Sequence, residues 1–555
     1  MQKTRYLPSG KNFVTIFLRL SSLKKSSANS STIARSAGVI GIAVMCSRLL
    51  GLVREQVFAG MFGAGTAYDA FVVAFRIPNL LRDLFAEGAL SAAFVTVFSD
   101  YNTNRSKEET WQLAANVLTF FAIALSIISL LGIWLAEPIV LLMAHEYSAV
   151  EGKIALTTGL TQIMMPFLIF ISLAAVAMGI LNSKGRFFIP AMASTFFNLG
   201  SIVGGVGLAL ILPEYGYPAI TGMAVGTLIG GFLQLAIQLP SLKKIGFSFR
   251  PRLNISDPGL RRILKLMVPA TVGLSAVQIN IFINTKFASS CIEGSVSWLS
   301  YAFRLVQLPI GVFGVTFSIA MMPVLARHAA EKNIPEMRTT LVSSLVMVLA
   351  LTVPATAGLI LLSEPIVRLI FERYAFSTAD TLATSQALAL YAVGLFAYSS
   401  NKVLVPAFYA LDKPKFPVIA SFIAIGTNLI FINLTIDKYQ HLAIALSTSV
   451  TMLLNFTFLM VVLYLKMDGL PLKYLVTGSL KIIASTVAMC AVVYYGKDML
   501  LAYLHGSTIQ QLLSLSGIIV SAALLYGILL NAMKLSELSN VVSKFIEKFR
   551  RKSKA

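Results

Sequence analysis

The sequence predicts an all-α membrane protein that crosses the bilayer many times. Hydrophobic residues occupy 57% of the 555 positions, charged residues only 12%, and the mean hydropathy is +0.79. Soluble domains carry roughly twice that share of charge, so this class is excluded. Apolar runs of roughly 20 residues, the length that crosses the hydrocarbon core as a helix, recur along the whole chain. A helix also satisfies its own backbone hydrogen bonds in lipid, which an open sheet cannot do.

The apolar runs between polar joints predict about fourteen transmembrane helices. An even number places both termini on one side of the membrane. Most of the 45 lysines and arginines fall in the termini and in the joints on that side, which marks it as cytoplasmic. The predicted helices cover residues 33–62, 66–99, 111–136, 153–181, 187–212, 217–240, 262–290, 295–327, 339–363, 381–411, 415–435, 441–466, 472–495 and 509–533.

An internal repeat divides the chain. The sequence AFRI at 74–77 in the second predicted helix returns as AFRL at 302–305 in the eighth, and the cytoplasmic turn KGRF at 184–187 returns as KPKF at 413–416. Both matches have nearly the same offset and the same topological position, which is typical of a duplicated unit. The chain is therefore predicted to contain two six-helix bundles in the same orientation, related by a pseudo-twofold axis along the membrane normal.

The repeat also sets the domain boundaries. Two C-terminal helices are additions to the duplicated core, and a basic joint separates the two bundles. The predicted divisions are a cytoplasmic N-terminal tail at 1–32, bundles at 33–240 and 262–466, a basic cytoplasmic linker at 241–261, two additional transmembrane helices at 467–535, and a basic cytoplasmic tail at 536–555.

Six basic residues interrupt the apolar helices, and four acids accompany them in the first two. A basic residue at the bilayer centre costs roughly 3 kcal/mol, so these side chains are expected to face water or to be paired. Arg304 and Lys402 have no acid within their own helices, which leaves a net positive cavity even if every other pair forms. Arginine forks suit phosphate oxygens, so the cavity is expected to hold an anion. The charged residues are Arg48, Arg54, Arg76, Arg82, Arg304 and Lys402, with Glu55, Asp69, Asp83 and Glu87.

Helical spacing predicts where these side chains point. Pro78 is expected to distort the second helix. At 100° per residue that helix carries one polar face, formed by Asp69, Arg76, Asp83 and Glu87. In the eighth helix, polar or small residues recur at every seventh position, at Ser297, Arg304, Gly311 and Ser318. Two such faces in corresponding helices predict one central cavity; the alternative is that the charges form ion pairs that only hold the helices together.

Several classes of site lack their characteristic residues. The four histidines fall in joints or at helix edges, which supports neither a metal cluster nor a histidine catalyst. The three cysteines are isolated, no phosphate-binding loop of the nucleotide type occurs, and no basic patch interleaved with aromatic residues predicts nucleic-acid binding. We therefore expect no catalytic residue, no metal, no cofactor and no nucleic-acid partner.

The charged region also carries a clear resemblance to a known family. The run RLLGLVREQVFAGMFGAGTAYDAFVVAFRIPNLLRDLFAEGALSAAFV at 48–95 is similar to the signature of the MurJ (MviN) family of bacterial lipid II flippases, which shares a superfamily with MATE-type exporters. The likeness continues through GSVSWLSYAFRLVQLPIGVFGV at 294–315 and KVLVPAFYALDKPKFPV at 402–418. It covers essentially the whole chain after the N-terminal tail.

The resemblance implies a transporter and not an enzyme. Its substrate would be lipid II, the undecaprenyl-diphosphate-linked disaccharide peptide used in peptidoglycan and cell wall biosynthesis and so in cell shape. The protein would move lipid II from the cytoplasmic to the outer leaflet of the bacterial inner membrane by alternating access. Membrane lipids and the cell-wall synthesis machinery are the implied partners. Whether a coupling ion or the membrane potential drives the cycle stays open.

The resemblance also implies roles for particular residues. The substrate-binding arginines of the family correspond to Arg48, Arg54, Arg82 and Arg304. The resemblance also matches Asp69 to the acid at the outer end of the second helix, and the charge and spacing pattern itself predicts supporting or gating roles for Asp69, Arg76, Asp83, Glu87, Ser297 and Lys402. Phe303 and Gln307 stand where some relatives have acids, so Arg304 is expected to lose possible pairing partners and to be more available to phosphate; Glu55 replaces a common Asp. The last two helices are expected to form a groove for the polyprenyl tail.

Other functions stay open at this point. A flippase for another polyprenyl-diphosphate-linked glycan would need the same cavity. A cation-exporting drug transporter should have an acidic cavity, which this sequence does not predict. A membrane enzyme acting on polyprenyl phosphates would need a base or metal-binding acids near a membrane face. A scaffold for envelope synthesis would tolerate the loss of the cavity charges.

Overall fold

The computed structural model describes residue 41, residues 43–501 and residues 506–535, and over these residues the regular secondary structure is entirely helical. Eleven of the described helices are long and apolar enough to cross a membrane, or twelve spans if one bent pair counts as a single span. The helical stretches over 43–62 and 66–104, which carry Arg48, Arg54, Arg76 and Arg82, stand outside that count. The expected all-α, multi-pass membrane class is confirmed. The predicted tails and the start of the first helix lie outside the described residues.

Short connections join the helices. In chain order they are α1 (residues 43–62), α2 (Thr66–Arg82), α3 (Ser91–Asn104), α4 (Lys107–Trp134), α5 (Ala136–Ala144), α6 (Lys153–Met164), α7 (Phe167–Ser183), α8 (Phe188–Ile211), α9 (Ile220–Ala236), α10 (Leu239–Lys244), α11 (Pro258–Ser289), α12 (Ser295–Pro309), α13 (Thr316–Ala330), α14 (Ile334–Leu361), α15 (Ser363–Phe371), α16 (Thr378–Val393), α17 (Leu395–Ala410), α18 (Lys415–Tyr439), α19 (His441–Lys466), α20 (Leu472–Leu501) and α21 (Thr508–Ala532). Two π-helical segments, Asp83–Leu90 and Ile310–Val315, connect α2 to α3 and α12 to α13.

Side-chain caps explain where several helices begin. The Ser106 hydroxyl accepts a hydrogen bond from the Glu109 backbone N–H, and the Glu109 carboxylate accepts one from the Ser106 N–H. This capping box starts α4 at Lys107, before the predicted start at 111. The Asp257 carboxylate caps α11 by accepting hydrogen bonds from the Gly259 and Leu260 N–H groups, and that helix begins at Pro258, before the predicted 262. Polar residues that hydropathy assigns to joints therefore begin the helices.

Two predicted spans contain an interruption of the α-helix, although Lys153–Ser183 still forms one membrane-spanning segment. The helix expected over 153–181 divides at Pro166, whose missing N–H interrupts the backbone ladder, into α6 and α7. The helix expected over 381–411 divides into α16 and α17, which meet at 42°. At this bend the Gly394 N–H donates to the Ser449 hydroxyl at 3.1 Å, and a Cβ on Gly394 would lie only 2.8 Å from the Ser449 Cα.

Both arginine-bearing helices of the predicted repeat, α2 and α12, run into a π-helical segment. Pro78 lies within α2, but the departure from α geometry begins at Asp83 and not beside the proline. The second π segment follows Pro309 directly. A π turn holds more residues than an α turn and rotates every side chain after it. Uniform spacing at 100° therefore does not place the side chains that follow Asp83.

One apolar core joins the two halves of the chain. Tyr68 and Phe71 of α2 pack in it with Tyr301 of α12 and Phe371 of α15. A second core connects α14 with α20 and α21, where the Tyr526 hydroxyl donates to the Ala350 carbonyl at 2.6 Å. A third lies in the first half and includes the first turns of α11. The shared core forms one wall of the cavity described next.

Candidate functional site

A cavity of about 590 Å³ lies between helices of both halves. α1 and α2 provide four of its arginines and α12 provides the fifth. Glu55 and Asp83 also line it, so five guanidinium groups and two carboxylates leave a net charge of +3 on the described lining side chains. A concave site of one sign concentrates ligands of the opposite sign. The five arginines are Arg48, Arg54, Arg76, Arg82 and Arg304.

Glu55 is the centre of the charged network. Its Oε1 lies 2.7 Å from Arg54 Nη2 and 3.1 Å from Arg304 Nη2. Its Oε2 accepts a hydrogen bond from the Tyr68 hydroxyl at 3.0 Å. The Arg54 guanidinium also lies 5.2 Å from the centre of the Phe197 ring, a cation–π distance. One buried carboxylate is therefore shared by two arginines that come from different halves of the chain.

The shared carboxylate corrects the expectation for Arg304. The sequence offers this arginine no acid within its own helix, and it was expected to be more available for that reason. The structure supplies Glu55 from α1 as its partner. Reading one helix at a time cannot reveal a pair between helices that are distant in sequence. The pair still leaves one positive charge, because Glu55 also neutralises Arg54.

Arg48, like Arg76, has no ion pair within the described residues, whereas Arg54, Arg82 and Arg304 each have one. It is half-buried and lines the cavity. Its guanidinium occupies the space beside Gly311 in the second π segment, so that a Cβ at Gly311 would overlap the guanidinium nitrogens. Only glycine leaves room for this arrangement. Arg48 is therefore a cavity arginine whose guanidinium is paired with no acid of the described residues and can bind an anion.

Arg76 and Arg82 occupy the α2 side of the cavity. Arg82 donates through Nη2 and Nε to Asp83 Oδ1, at 2.8 and 3.2 Å. Gln278 of α11 donates to the other oxygen of Asp83 at 3.3 Å. The buried Nε of Arg76 has no hydrogen-bond partner among the described residues. The expected Arg76–Asp83 face therefore reaches the cavity, and Asp83 also connects α2 to α11.

Asp69 lies apart from the cavity, in a buried cluster where α2 and α12 begin. Its carboxylate accepts hydrogen bonds from the Gly294 N–H at 2.9 Å, the Ser297 N–H at 3.0 Å and the Ser297 hydroxyl at 2.6 Å. Lys153 Nζ lies 3.3 Å away, and both charged side chains are at most 3% exposed. Asp69 and Ser297 were expected on the same faces as Arg76 and Arg304. The structure instead pairs Asp69 with Ser297 and removes both from the cavity lining.

A second acid bridges the same two helix ends in the opposite direction. Glu293, just before α12, accepts hydrogen bonds from the Thr66 N–H at 2.7 Å and the Thr66 hydroxyl at 2.5 Å. These hydrogen bonds lower the pKa of Glu293. Beneath them the rings of Tyr68 and Tyr301 stack with centres 4.8 Å apart. The two halves are thus closed against each other at this end.

Two other predicted residues do not join the arginines. Lys402 is exposed on α17, with Nζ 5.6 Å from the Tyr398 ring, and does not line the cavity. In this structure Lys402 therefore adds no positive charge to the cavity lining, although Tyr398, one turn earlier in α17, does line the cavity. The side chain of Glu87 lies outside the described part of the structure.

Sequence reasoning overlooked the uncharged polar side chains of the cavity. Asn280 and Asn284 of α11 and Thr448 of α19 line it, and Asn428 lies behind them. The signal was present, because Asn280 and Asn284 are four residues apart and lie on one face of a membrane-spanning helix, and polar residues in membrane helices commonly hydrogen-bond across helices. Among the described residues, no group of three His, Cys, Asp or Glu side chains could hold a metal ion.

Known proteins match most of the chain. The family model described as "Lipid II flippase MurJ" matches residues 58–514. A probable lipid II flippase MurJ from Buchnera aphidicola subsp. Schizaphis graminum is 35% identical over 434 residues, which cover 78% of this chain and 84% of that protein. A solved lipid II flippase MurJ in an inward closed conformation has a TM-score of 0.73 and 29% identity, and the match covers 89% of this chain and 98% of the other.

The fold is also shared with transporters of much lower sequence identity. An inward-facing multidrug resistance transporter of the MATE family, from the MOP superfamily, superposes with a TM-score of 0.60 at 16% identity, over 81% of this chain and 98% of that one. The family match covers most of the chain and the relatives align over most of their own length. The chain therefore belongs to the lipid II flippase MurJ family of membrane transporters.

Proposed function

We propose that the protein flips lipid II from the cytoplasmic to the outer leaflet through the arginine-lined cavity. The observation that carries the proposal is the net charge of +3 on the lining of a cavity between membrane-spanning helices. Arginine binds phosphate oxygens in bidentate geometry, and a positive site away from bulk water attracts them strongly. Arg48, Arg54 and Arg304 hold the diphosphate in this proposal, and Arg82 supports them.

Glu55 competes with the substrate for two of these arginines. A diphosphate carries more negative charge and more acceptor oxygens than one carboxylate, so it replaces Glu55 as the partner of Arg54 and Arg304. The displaced carboxylate keeps the Tyr68 hydroxyl as a donor. After release of the substrate, Glu55 pairs with both arginines again. The cavity then has no need of a counter-ion at this position when it is empty.

In the proposed alternating-access cycle, the end where α2 and α12 begin opens and closes. The pairs that join Asp69 to Ser297 and Glu293 to Thr66 separate in the proposed outward-open state and close again in the inward state. We place this end at the outer face, because the joints that contain Gly63 and Glu293 are those predicted to be outside. Both termini are then cytoplasmic.

The proposed architecture follows the family. It has fourteen transmembrane helices, as two six-helix bundles related by a pseudo-twofold axis along the normal of the inner membrane, followed by α20 and α21. The groove beside α20 and α21 receives the polyprenyl tail, while the headgroup passes through the cavity. A coupling ion or the membrane potential supplies the energy, at about 2.3 kcal/mol per elementary charge per 100 mV. The cell-wall synthesis machinery uses the product.

Complementation tests the proposal. A conditional lipid II flippase mutant is supplied with the intact protein, with Arg48→Ala, or with Arg105→Ala, an exposed arginine outside the cavity. The intact protein and Arg105→Ala are expected to rescue growth, with lipid II present in the outer leaflet. Arg48→Ala, at equal membrane abundance, is expected to restore neither growth nor outer-leaflet lipid II. Failure of the well-expressed intact protein would indicate another polyprenyl-diphosphate glycan as substrate. Rescue by Arg48→Ala would favour a scaffold.

A further inference from the structure

Part of the cavity wall is polar without being charged. Asn280 and Asn284 of α11 and Thr448 of α19 line the same cavity as the five arginines. All three side chains are half-buried, so each presents some of its surface to the cavity. We call these three residues the amide wall. Guanidinium groups bind phosphate more strongly than these neutral donors do, so the arginines are the preferred partners of the diphosphate proposed above and the amide wall is left for another part of the ligand.

A buried asparagine fixes the orientation of the amide wall. Asn428 of α18 is fully buried, and its Nδ2 donates to Asn280 Oδ1 at 2.5 Å and to Asn284 Oδ1 at 2.7 Å. Its own Oδ1 accepts from the Ser447 hydroxyl at 2.6 Å. The carbonyl oxygens of both lining amides therefore point away from the cavity, towards Asn428. Their amino groups are left for other partners.

The two amino groups differ in how far they are satisfied. Asn284 Nδ2 donates to the Thr448 hydroxyl oxygen at 3.3 Å, a long hydrogen bond. Asn280 Nδ2 has no hydrogen-bond partner among the described residues, and it is not sealed from the cavity. A network that served only to join α11, α18 and α19 would pair each of its donors with an acceptor inside the network. This one is satisfied at its buried end and open at its cavity end.

We infer that the amide wall is the subsite for the sugar and peptide part of the lipid-linked headgroup, with Asn280 as its principal donor and Asn428 as a positioning residue. The inference rests on the proposed function. Sugar hydroxyls and acetamido or peptide carbonyls are uncharged acceptors, and an amide N–H₂ donates to them without the desolvation cost of a charged group. The cavity thus has a cationic region for the diphosphate and a neutral region for the attached glycan.

Two probes separate the subsites. Undecaprenyl diphosphate carries the phosphates alone, and lipid II carries the same phosphates with the disaccharide peptide. Binding of each is measured to the purified full-length protein in nanodiscs. Asn280→Leu keeps the side-chain volume and removes the donor. Loss of one neutral hydrogen bond is expected to raise the Kd for lipid II about two- to tenfold and to leave the Kd for undecaprenyl diphosphate unchanged.

Two control variants make the readout specific. Asn433→Leu changes an exposed amide of α18 that bonds only within its own helix, and it should alter neither Kd. Arg48→Ala should raise both Kd values. If Asn280→Leu proves unstable in thermal unfolding, Thr448→Val removes a polar group from the same wall with little change of volume. Thr448→Val should likewise raise the Kd for lipid II and leave the Kd for undecaprenyl diphosphate unchanged.

Each result decides between the two proposals. Equal weakening of both probes by Asn280→Leu and Thr448→Val, or no effect on either, overturns the amide wall as a glycan subsite. Equal affinity of the unmodified protein for the two probes overturns it as well, and leaves the arginine cavity standing. Failure of the unmodified protein to bind either probe overturns the proposed function together with the subsite.

Discussion

Replacing Asp69 by Asn should open the closed end of the protein. Asn keeps the shape of the side chain and one acceptor oxygen, but it removes the negative charge beside Lys153, which is 3% exposed. Leaving one charge of a buried pair uncompensated costs about 3–5 kcal/mol. Since about 1.4 kcal/mol corresponds to a factor of ten, the ratio of open to closed protein should rise about a hundredfold or more.

A native cysteine reports this change. Cys291 lies in the connection between α11 and α12, packed against the core that both halves share, and burial raises the pKa of its thiol to about 12. Only the thiolate reacts with maleimides, so the closed protein should label slowly. Opening exposes the thiol and returns its pKa towards the ordinary value of about 8.5. The assay is the labelling rate by a membrane-impermeant maleimide, with Cys46 and Cys490 replaced by Ser.

The expected result is a labelling rate about a hundredfold higher for Asp69→Asn, up to the rate of a free thiol. Asp100→Asn is the matched control, because Asp100 forms a partly exposed ion pair with Arg262 far along the chain from Cys291. It should leave the rate unchanged. A folded Asp69→Asn protein that labels at the unmodified rate would show that the Asp69 cluster does not hold this end closed.

Three further predictions concern the cavity and the closed end. Gly311→Ala should displace the Arg48 guanidinium and lower lipid II transport about tenfold or more at equal abundance, because a hydrogen bond to a charged group contributes about 1.5–3 kcal/mol; outer-leaflet lipid II measures this. Glu55→Gln should raise affinity for undecaprenyl diphosphate several-fold, because it frees two arginines, and should slow flipping; binding and transport assays measure the two effects. Hydrogen bonds from Thr66 lower the pKa of Glu293, so its contribution to stability should be full above about pH 4.3 and lost as the pH falls through the lowered pKa. Thermal unfolding measured against pH tests this, with Glu293→Gln as a reference that should lack this pH dependence.

The controls for these predictions are available in the chain. Gly358→Ala adds a Cβ where no atom lies within 4 Å, and it should leave transport unchanged. Equal loss in Gly358→Ala and Gly311→Ala would mean that helix glycines are generally intolerant and that the contact with Arg48 is unimportant. Unchanged diphosphate affinity in Glu55→Gln would contradict the competition between this carboxylate and the substrate.

Hydropathy predicted the fold class and most helix positions, because apolar length is a property of each segment alone. Helix starts were missed where a polar cap precedes the apolar run, as at Ser106 and Asp257. The bend at Gly394 was missed because its cause is the close approach of Ser449, which belongs to another helix. Fourteen helices and the pseudo-twofold relation stay predictions.

The arginines of the cavity were predictable because charge in an apolar helix is conspicuous, whereas their partners were not. The Glu55–Arg304 pair joins two helices that are far apart in sequence, and no periodicity within one helix reveals it. Helical spacing placed Asp69 and Arg76 on one face of α2, and the whole face was expected to line the cavity. Asp69 instead accepts a hydrogen bond from the Ser297 N–H at the start of α12. Asn428 was missed because its partners lie in α11 and α19, and no periodicity within α18 reveals them.

The exchange of acids at the closed end has a consequence for how that end comes apart. Neither α2 nor α12 has a side-chain cap of its own; the N-cap residues are Gly65 and Gly294. The N-terminus of α12 donates to Asp69 of the first half, and the N-terminus of α2 donates to Glu293 of the second half. The positive end of each helix macrodipole is thus neutralised by an acid from across the interface. Separating the halves leaves both N-termini without their carboxylates at the same moment. A half-open arrangement would lose the carboxylate at both helix N-termini without gaining full access to water. The closed end should therefore open cooperatively, in a two-state transition that passes few ions or small solutes.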